Sequence, residues 1–280
     1  MSTLEPLSLD IVVTWRGRHE LQQALPSLCE LAARHDGGVT VVNYGGDADQ
    51  LRDLMAGHAA RVEVVHVDEP GWFNKARAQN IGAAHTHRPL LFFCDCDIVV
   101  PDGQLDALVR QLRAEPAAFG TVAGVTETVR NARKAGQVAM FGYHLKLRLT
   151  NGRALEIIDN EEDAADGTRQ APGLLMVRRT GFECIGGYNG CLVGWGWEDQ
   201  DMIARLTLSA GLARRQSGAV LHVSHDDDAR IRHYPPVQDR WESRDRMFRQ
   251  ALANYDRGDW LGTYEEDALR ATTRSPVSAG

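Results

Sequence analysis

The sequence of 280 residues predicts an α/β fold, a mostly parallel central sheet with helices on both faces. Three observations carry this. Apolar, β-branched runs alternate with helix-like stretches from residue 9 to residue 100. One run, Leu90 to Cys94, is short, continuously apolar and bounded by Pro89 and by Pro101-Asp102-Gly103, as a strand buried on both faces should be. After Gly103 the alternation gives way to strand and hairpin signals, which adds a smaller antiparallel part.

Leu9 to Thr14 reads as the first strand. Trp15-Arg16-Gly17-Arg18 follows, then a helix from Glu20 to Arg34 that His35-Asp36-Gly37-Gly38 stops. Val39 to Asn43 is a second strand with the loop Tyr44-Gly45-Gly46-Asp47, and Ala48 to His58 a second helix. Arg61 to Val67 alternates as a third strand, and Asn74 to His85 is the helix before Leu90. Gln104 to Ala114 is an amphipathic helix, and Phe119 to Ile158 reads as strands, with Asn151-Gly152 as a hairpin turn. Asp159 to Asp166 reads as a solvated acidic loop and Leu174 to Val177 as a strand. Trp197 to Ala210 is a helix ended by Gly211, Val220 to Val223 a short strand, and Arg240 to Asn254 a charged helix. The stretch after Ala271 is expected to be disordered.

Composition narrows the function. A hydrophobic content of 43% and a charged content of 25% suit a soluble globular chain. A net charge of −7 argues against nucleic acid as a partner. No run of about 18 apolar residues suggests a transmembrane segment. The start, MSTLEPLSLD, lacks the regions of a signal peptide. Cys29, Cys94, Cys96, Cys184 and Cys191 show no disulfide-scaffold spacing, so reduced thiols in a cytosolic compartment are expected. No G-x-G-x-x-G follows the first strand and no G-x-x-x-x-G-K occurs, so dinucleotide and P-loop readings lack their fingerprint.

The chemistry gathers in two acidic clusters. Asp95 and Asp97 end the buried strand and, by strand alternation, point the same way. Two such carboxylates repel and resist desolvation, which a hard divalent cation relieves, leaving positions open for diphosphate oxygens. A pair of solvated aspartates is the plain alternative. A zinc site of Cys94, Cys96, His222 and His225 is another, although C-x-C is a tight spacing and the two thiols should face the opposite side of the strand. The second cluster is Gly194-Trp195-Gly196-Trp197-Glu198-Asp199-Gln200-Asp201. Acids in a first helical turn complement the macrodipole. The preceding glycines and tryptophans also suggest a hinged loop with platforms for a sugar ring, beside a general base for a hydroxyl.

On these residues the chain resembles metal-dependent GT-A glycosyltransferases, in particular the β-1,4-galactosyltransferase type and its bacterial relatives. TWRGR at 14 to 18 resembles the strand end that holds the nucleotide, and FNKARAQNIG at 73 to 82 the F-N-[RK]-A-[KR]-x-x-N-x-G helix. Asp95-Cys96-Asp97 resembles the D-x-D, GWGWEDQD at 194 to 201 the W-G-W-x-x-E-D segment, and AVLHVSH at 219 to 225 the late metal-ligand strand. The match spans residues 9 to 240.

The resemblance implies a GT-A fold, Rossmann-like, with a smaller antiparallel acceptor-side sheet. Residues 1–103 would be the nucleotide-sugar half, 104–240 the acceptor and catalytic half of the same domain, and 241–280 a C-terminal helix and flexible tail. It implies an inverting, metal-dependent transferase that moves galactose, N-acetylglucosamine, N-acetylgalactosamine or glucose from a UDP-sugar to an acceptor hydroxyl. A retaining transferase, a nucleotide-sugar hydrolase and a non-catalytic binding module are the alternatives. Mn2+, or Mg2+, would be held by Asp97, with Asp95 near the ribose or metal, and by His225 and His222. Thr14, Arg16, Arg18, Asn74, Lys75, Arg77, Asp95 and Trp195 would line the donor site. Asp199 would be the catalytic base, Glu198 its acceptor-binding neighbour, and Trp195 and Trp197 acceptor platforms. The acceptor would be a glycan, glycolipid, peptide or small natural product, and the location cytoplasmic or peripheral to the inner membrane. Trp197 stands where the animal enzymes have glycine, and Gln170-Ala171-Pro172-Gly173 where they place a donor-selecting aromatic residue, which puts galactose in doubt.

Overall fold

A computed structural model describes residues 8–58, 62–130, 134–270 and 272–276. β1 (Leu9–Trp15), β2 (Val39–Tyr44), β3 (Val62–Val67) and β4 (Leu90–Asp95) lie side by side in the order β3-β2-β1-β4, all parallel. Parallel neighbours need crossovers, supplied by α1 (Leu21–Arg34), α2 (Ala48–Leu54) and α3 (Lys75–Ala84). The chain builds from β1 outward to β3, then returns to place β4 on the other side of β1. That reversal opens a crevice beyond the carboxyl ends of β1 and β4, where ligands collect in such sheets. Thr14 and Asp95 stand in register, side by side, at its edge.

The second half of the chain extends the same sheet. β5 (Ile98–Val99), β6 (Ala118–Glu127), β9 (Thr168–Arg178) and β10 (Ala213–His222) complete the order β4-β9-β6-β10-β5. β9 is antiparallel to both β4 and β6, while β10 is parallel to β6. The sheet is thus parallel in its first half and mixed beyond. α4 (Asp106–Ala114) and α5 (Arg179–Cys184) flank it. β7 (Gly142–Arg148) and β8 (Ala154–Asn160) form the separate antiparallel pair around Asn151-Gly152, with Gly152 at φ 87°.

Alternation along the strands feeds two cores. Ile11, Val13, Phe92, Cys94 and Cys96 pack on one face with α1 and α4. Val12, Val42, Leu91 and Phe93 pack on the other with α3, Phe182 and Tyr188. Cys94 and Cys96 are buried in the first of these cores, and burial pushes both thiols up.

Three expectations change. Within the C-terminal stretch expected to be disordered, Thr273–Pro276 form β11, antiparallel to β3, because that edge of the sheet offers unpaired backbone groups, while 277–280 lie outside the described residues. The acidic stretch at 159 begins on β8, where Asp159 and Asn160 line the cleft, so it is solvated only in part. The helix at 197–210 divides into α6 (Glu198–Ala204) and a π-helical turn, Arg205–Ser209. There the buried Arg205 pairs with Asp201 at 2.7 Å and donates to the carbonyls of Ile185 and Gly187. α7 (Asp227–Ile231), α8 (Arg240–Asp256) and α9 (Tyr264–Ala268) close the fold. Among the described residues no helix is long and apolar enough to cross a membrane.

α3 lies so close to the sheet that a Cβ on Gly82 would stand 2.3 Å from Val12 Cγ1 and 2.9 Å from Val42 Cγ2. Alanine at an exposed helical glycine stabilises; here it overpacks. Gly82→Ala should lower stability by about 1–3 kcal/mol, read as a reduced urea midpoint. An unchanged or raised midpoint would show that α3 can lift off β1 and β2 without cost.

Candidate active site

One cleft opens at the crevice and is lined from every part of the chain. Thr14, Arg16 and Arg18 come from the end of β1, Lys75 from α3, Asp95 and Asp97 from the end of β4, and His222 and His225 from the end of β10. Asp159 closes β8, Gly173 lies on β9, and Trp195, Gly196, Glu198 and Asp199 form the start of α6.

At one end Asp97, His222 and His225 each offer a ligand atom, all within 4.8 Å of one another. Nε2 of His222 and Nε2 of His225 both stand 3.3 Å from Asp97 Oδ2. The other ring nitrogens are occupied. His222 Nδ1 donates to Glu127 Oε2 at 2.6 Å, and His225 Nδ1 donates to the Asp226 carbonyl at 2.8 Å. Each imidazole, when neutral, thus turns an Nε2 lone pair toward Asp97, as a metal ligand must. Burial opposes the charge on Asp97, but His222, His225 and Arg18 outweigh it and hold the carboxyl well below its usual range. Burial likewise opposes the charge on Glu127, which His222 and Arg169 pull down to about 2. The buried Oδ1 of Asp97 accepts no hydrogen bond among the described groups. A carboxylate with a vacant buried oxygen and two inward lone pairs fits a divalent first-row cation.

The opposite wall carries the second cluster. Lys75 Nζ lies 2.6 Å from Asp95 Oδ1 and 3.3 Å from Glu198 Oε1. Burial disfavours its charge, but Asp95, Glu198 and Asp199 keep it protonated. Glu198 Oε2 accepts from the backbone N–H groups of Gly196 and Trp197. Asp199 accepts from its neighbour Gln200 N at 2.7 Å. Burial, then Glu198 and Asp159, outweigh Lys75 and push the Asp199 carboxyl up to about 7. Gly173 faces this pair, and a Cβ there would come within 3.1 Å of Asp199 Oδ2.

The structure brings together Thr14, Arg16, Arg18, Lys75, Asp95, Asp97, Trp195, Glu198, Asp199, His222 and His225. Asp95 turns to Lys75 and stays outside the Asp97 cluster. Asn74, Arg77 and Trp197 lie elsewhere. Asn74 caps α3, its Oδ1 accepting from Arg77 N–H, and its amide nitrogen donates to the Gly190 carbonyl. Arg77 pairs with the buried Asp267 of α9 at 2.9 Å. Trp197 packs into a small core with Leu192, Met247 and Ala251, since α8 covers it. In the loop expected to hinge, Trp195 N–H donates to Ser243 Oγ at 2.8 Å. Gly194 and Gly196 there have φ of 153° and 100°, so glycine is required at both.

Sequence reasoning missed Glu127, Asp159, Arg169 and Arg244. An acid ending an apolar strand, as Asp97 does, was the available signal for Glu127, which pairs in register with His222. Nothing local marked the other three.

A sequence-family model described as "Glycosyltransferase like family 2" matches residues 34–230. No curated protein sequence matches the chain. Among solved structures, the chain is similar to GalNAc-T7 crystallised with UDP, GalNAc and Mn2+, at 14% identity and a TM-score of 0.58 over 88% of this chain. It spans 48% of the GalNAc-T7 chain. It is similar as well to the mannosyltransferase PcManGT from Pyrobaculum calidifontis in complex with GDP-Man and Mn2+, at 17% identity and a TM-score of 0.52, covering 93% of this chain and 69% of that one. At these identities the likeness is one of fold, the GT-A fold.

The raised Asp199 carboxyl has a consequence for stability. The folded chain holds that proton more tightly than the unfolded chain does. The stability it contributes is fully present below the ordinary carboxylate range and is lost as pH rises through about 7. Asparagine imitates the protonated form at every pH. Asp199→Asn should therefore melt with the native protein near pH 4 and above it at pH 8, by differential scanning fluorimetry. A variant that melts lower at pH 8 would mean that the carboxylate only complements the helix terminus.

Proposed function

The chain belongs to the glycosyltransferase-like family 2, and we propose that it transfers a sugar from a nucleoside diphosphate donor to an acceptor hydroxyl, with inversion at the anomeric carbon. One observation carries this reading. The Asp97–His222–His225 cluster and a carboxyl held near neutrality, Asp199, face one cleft at the crevice of the sheet. A general base works best when its pKa lies near the working pH.

Asp97, His222 and His225 would hold Mn2+, or Mg2+ in its place, with the Nε2 atoms as imidazole ligands. The metal's chemistry is to stabilise the negative charge that develops on the leaving diphosphate. Glu127 keeps the His222 ring turned inward. Arg16 and Arg18 hold the donor at the end of β1, and Thr14 packs beside it. Lys75 keeps Glu198 and Asp95 in place while it limits how far Asp199 is raised. Asp199 takes the proton of the acceptor hydroxyl as that oxygen attacks from the face opposite the diphosphate. Trp195 and Glu198 hold the acceptor sugar. The β-1,4-galactosyltransferase-like order of the motifs supports inversion and a UDP-sugar, although the structural neighbours are complexes with UDP and with GDP-mannose.

Two outcomes follow. Asp97→Ala should weaken Mn2+-dependent UDP binding by more than about tenfold in calorimetry, and GDP should bind more weakly than UDP to the native protein. Unchanged UDP affinity in the variant would remove the metal assignment. Asp199→Asn should keep UDP affinity and lose about 10²–10⁴ in transfer. NMR of the product's anomeric configuration against the donor's tests inversion directly, and retention would require a different role for Asp199.

A further inference from the structure

Arg244 is a cation of the cleft that the transfer chemistry leaves unused. It projects from α8 and lines the cleft, with a side chain only 18% exposed. Its guanidinium carbon lies 5.0 Å from the Tyr143 ring centre and 4.4 Å from that of Trp241. Its ion pair among the described residues is a long one, 3.8 Å to Asp245, whose own side chain is 64% exposed. Compare Arg18, tied to Asp97 and Glu20 at 3.0 Å each, and Arg169, tied to Glu127 at 2.9 Å. Those charges are neutralised at contact distance; that of Arg244 is not. Stacking occupies the flat faces of a guanidinium and leaves its N–H edge free, and that edge matches a carboxylate or phosphate in a planar, two-bond geometry.

Its neighbours place Arg244 on the side of the base. Tyr143, beneath it, donates its hydroxyl to Asp159 Oδ2 at 3.1 Å. Gln200, the residue after Asp199, donates to the same oxygen at 3.1 Å. A Cβ on Gly196 would touch Arg244 Cβ and Cγ at 3.6 Å, so the guanidinium stem runs against the Trp195 loop. Arg18, His222 and His225 gather instead around Asp97.

We propose that Arg244 is the anion-binding element of the acceptor subsite, and that the acceptor is an anionic saccharide bearing a carboxylate or a phosphate near the reacting hydroxyl. The proposal rests on the transfer reading, and its test separates the two. With Mn2+ and UDP bound, calorimetry compares three probes in the gluco and galacto series: the methyl glycoside, its uronate, and the sugar 6-phosphate. An anionic probe should bind at least about tenfold more tightly than its neutral partner in one series. The uronate and 6-phosphate arms show which anion is meant. Arg244→Met keeps the stem against the rings and removes the charge. It should abolish the anionic preference while leaving UDP affinity and the melting temperature near native, and Arg244→Lys should restore part of the preference. Equal binding of neutral and anionic probes, or a preference that survives in Arg244→Met, overturns the inference alone. So does a tenfold loss of UDP affinity in Arg244→Met, which would put the residue on the donor. A native protein that binds neither UDP nor GDP with Mn2+ overturns the transfer reading, and the inference with it.

Discussion

Lys75 Nζ bridges Asp95 at the end of β4 and Glu198 at the start of α6, at 2.6 and 3.3 Å. The parts it joins are distant in sequence, and each brings carboxylates that would repel one another across the cleft. A buried ammonium is unfavourable alone, and so are buried carboxylates. Together they hold the crevice in shape. Because α3 presents Lys75 in its first turn, the position of that helix on the sheet sets where both acidic clusters meet. The close approach at Gly82 sets that position in turn. The polar residues of α3 serve the same end: Asn80 exchanges hydrogen bonds with Tyr188 and donates to Asp267, while Arg77 pairs with Asp267.

The two ends of the cleft differ in how charge is satisfied. Around Asp97, Arg18 and the two imidazoles outweigh burial, and its charge is secured. Around Asp199 the acids dominate, and Lys75 offsets them only in part. A carboxyl left near neutrality is a strain on the fold at high pH and an asset to proton transfer. The same division explains the polar chain Tyr143–Asp159–Gln200, which satisfies Asp159 without adding a positive charge beside the base. Arg244 stands beyond it, stacked on rings, its nearest carboxylate among the described residues being Asp245 at 3.8 Å.

Much of this was legible in the chain. The strand ending in Asp95 and Asp97, the alternation that sends Cys94 and Cys96 the other way, and the acids after Trp195 follow from local periodicity and length. His222 and His225 were legible as a pair of histidines at the end of a late strand. Other features were not. Asn74 and Arg77 lie in a motif that points to the donor, yet their partners, Gly190 and Asp267, are more than a hundred residues away in sequence. Trp197 looks like a sugar platform until α8 is seen to cover it. β11 pairs with β3 across most of the chain's length, and no local signal in the tail announces it.

The sequence by itself determined the α/β class, the parallel first half of the sheet and the two acidic clusters, because periodicity, strand length and turn residues act between near neighbours. Only the tertiary structure decided which side of the sheet each cluster occupies, that Lys75 joins them, and that Glu127 fixes the His222 ring. It alone decided that Asp199 is crowded by Glu198 and Asp159 while Asp97 faces Arg18, His222 and His225. Carboxylates with the same intrinsic chemistry acquire different proton affinities from the charges and burial around them, and those surroundings come from strands and helices that the chain brings together only when folded.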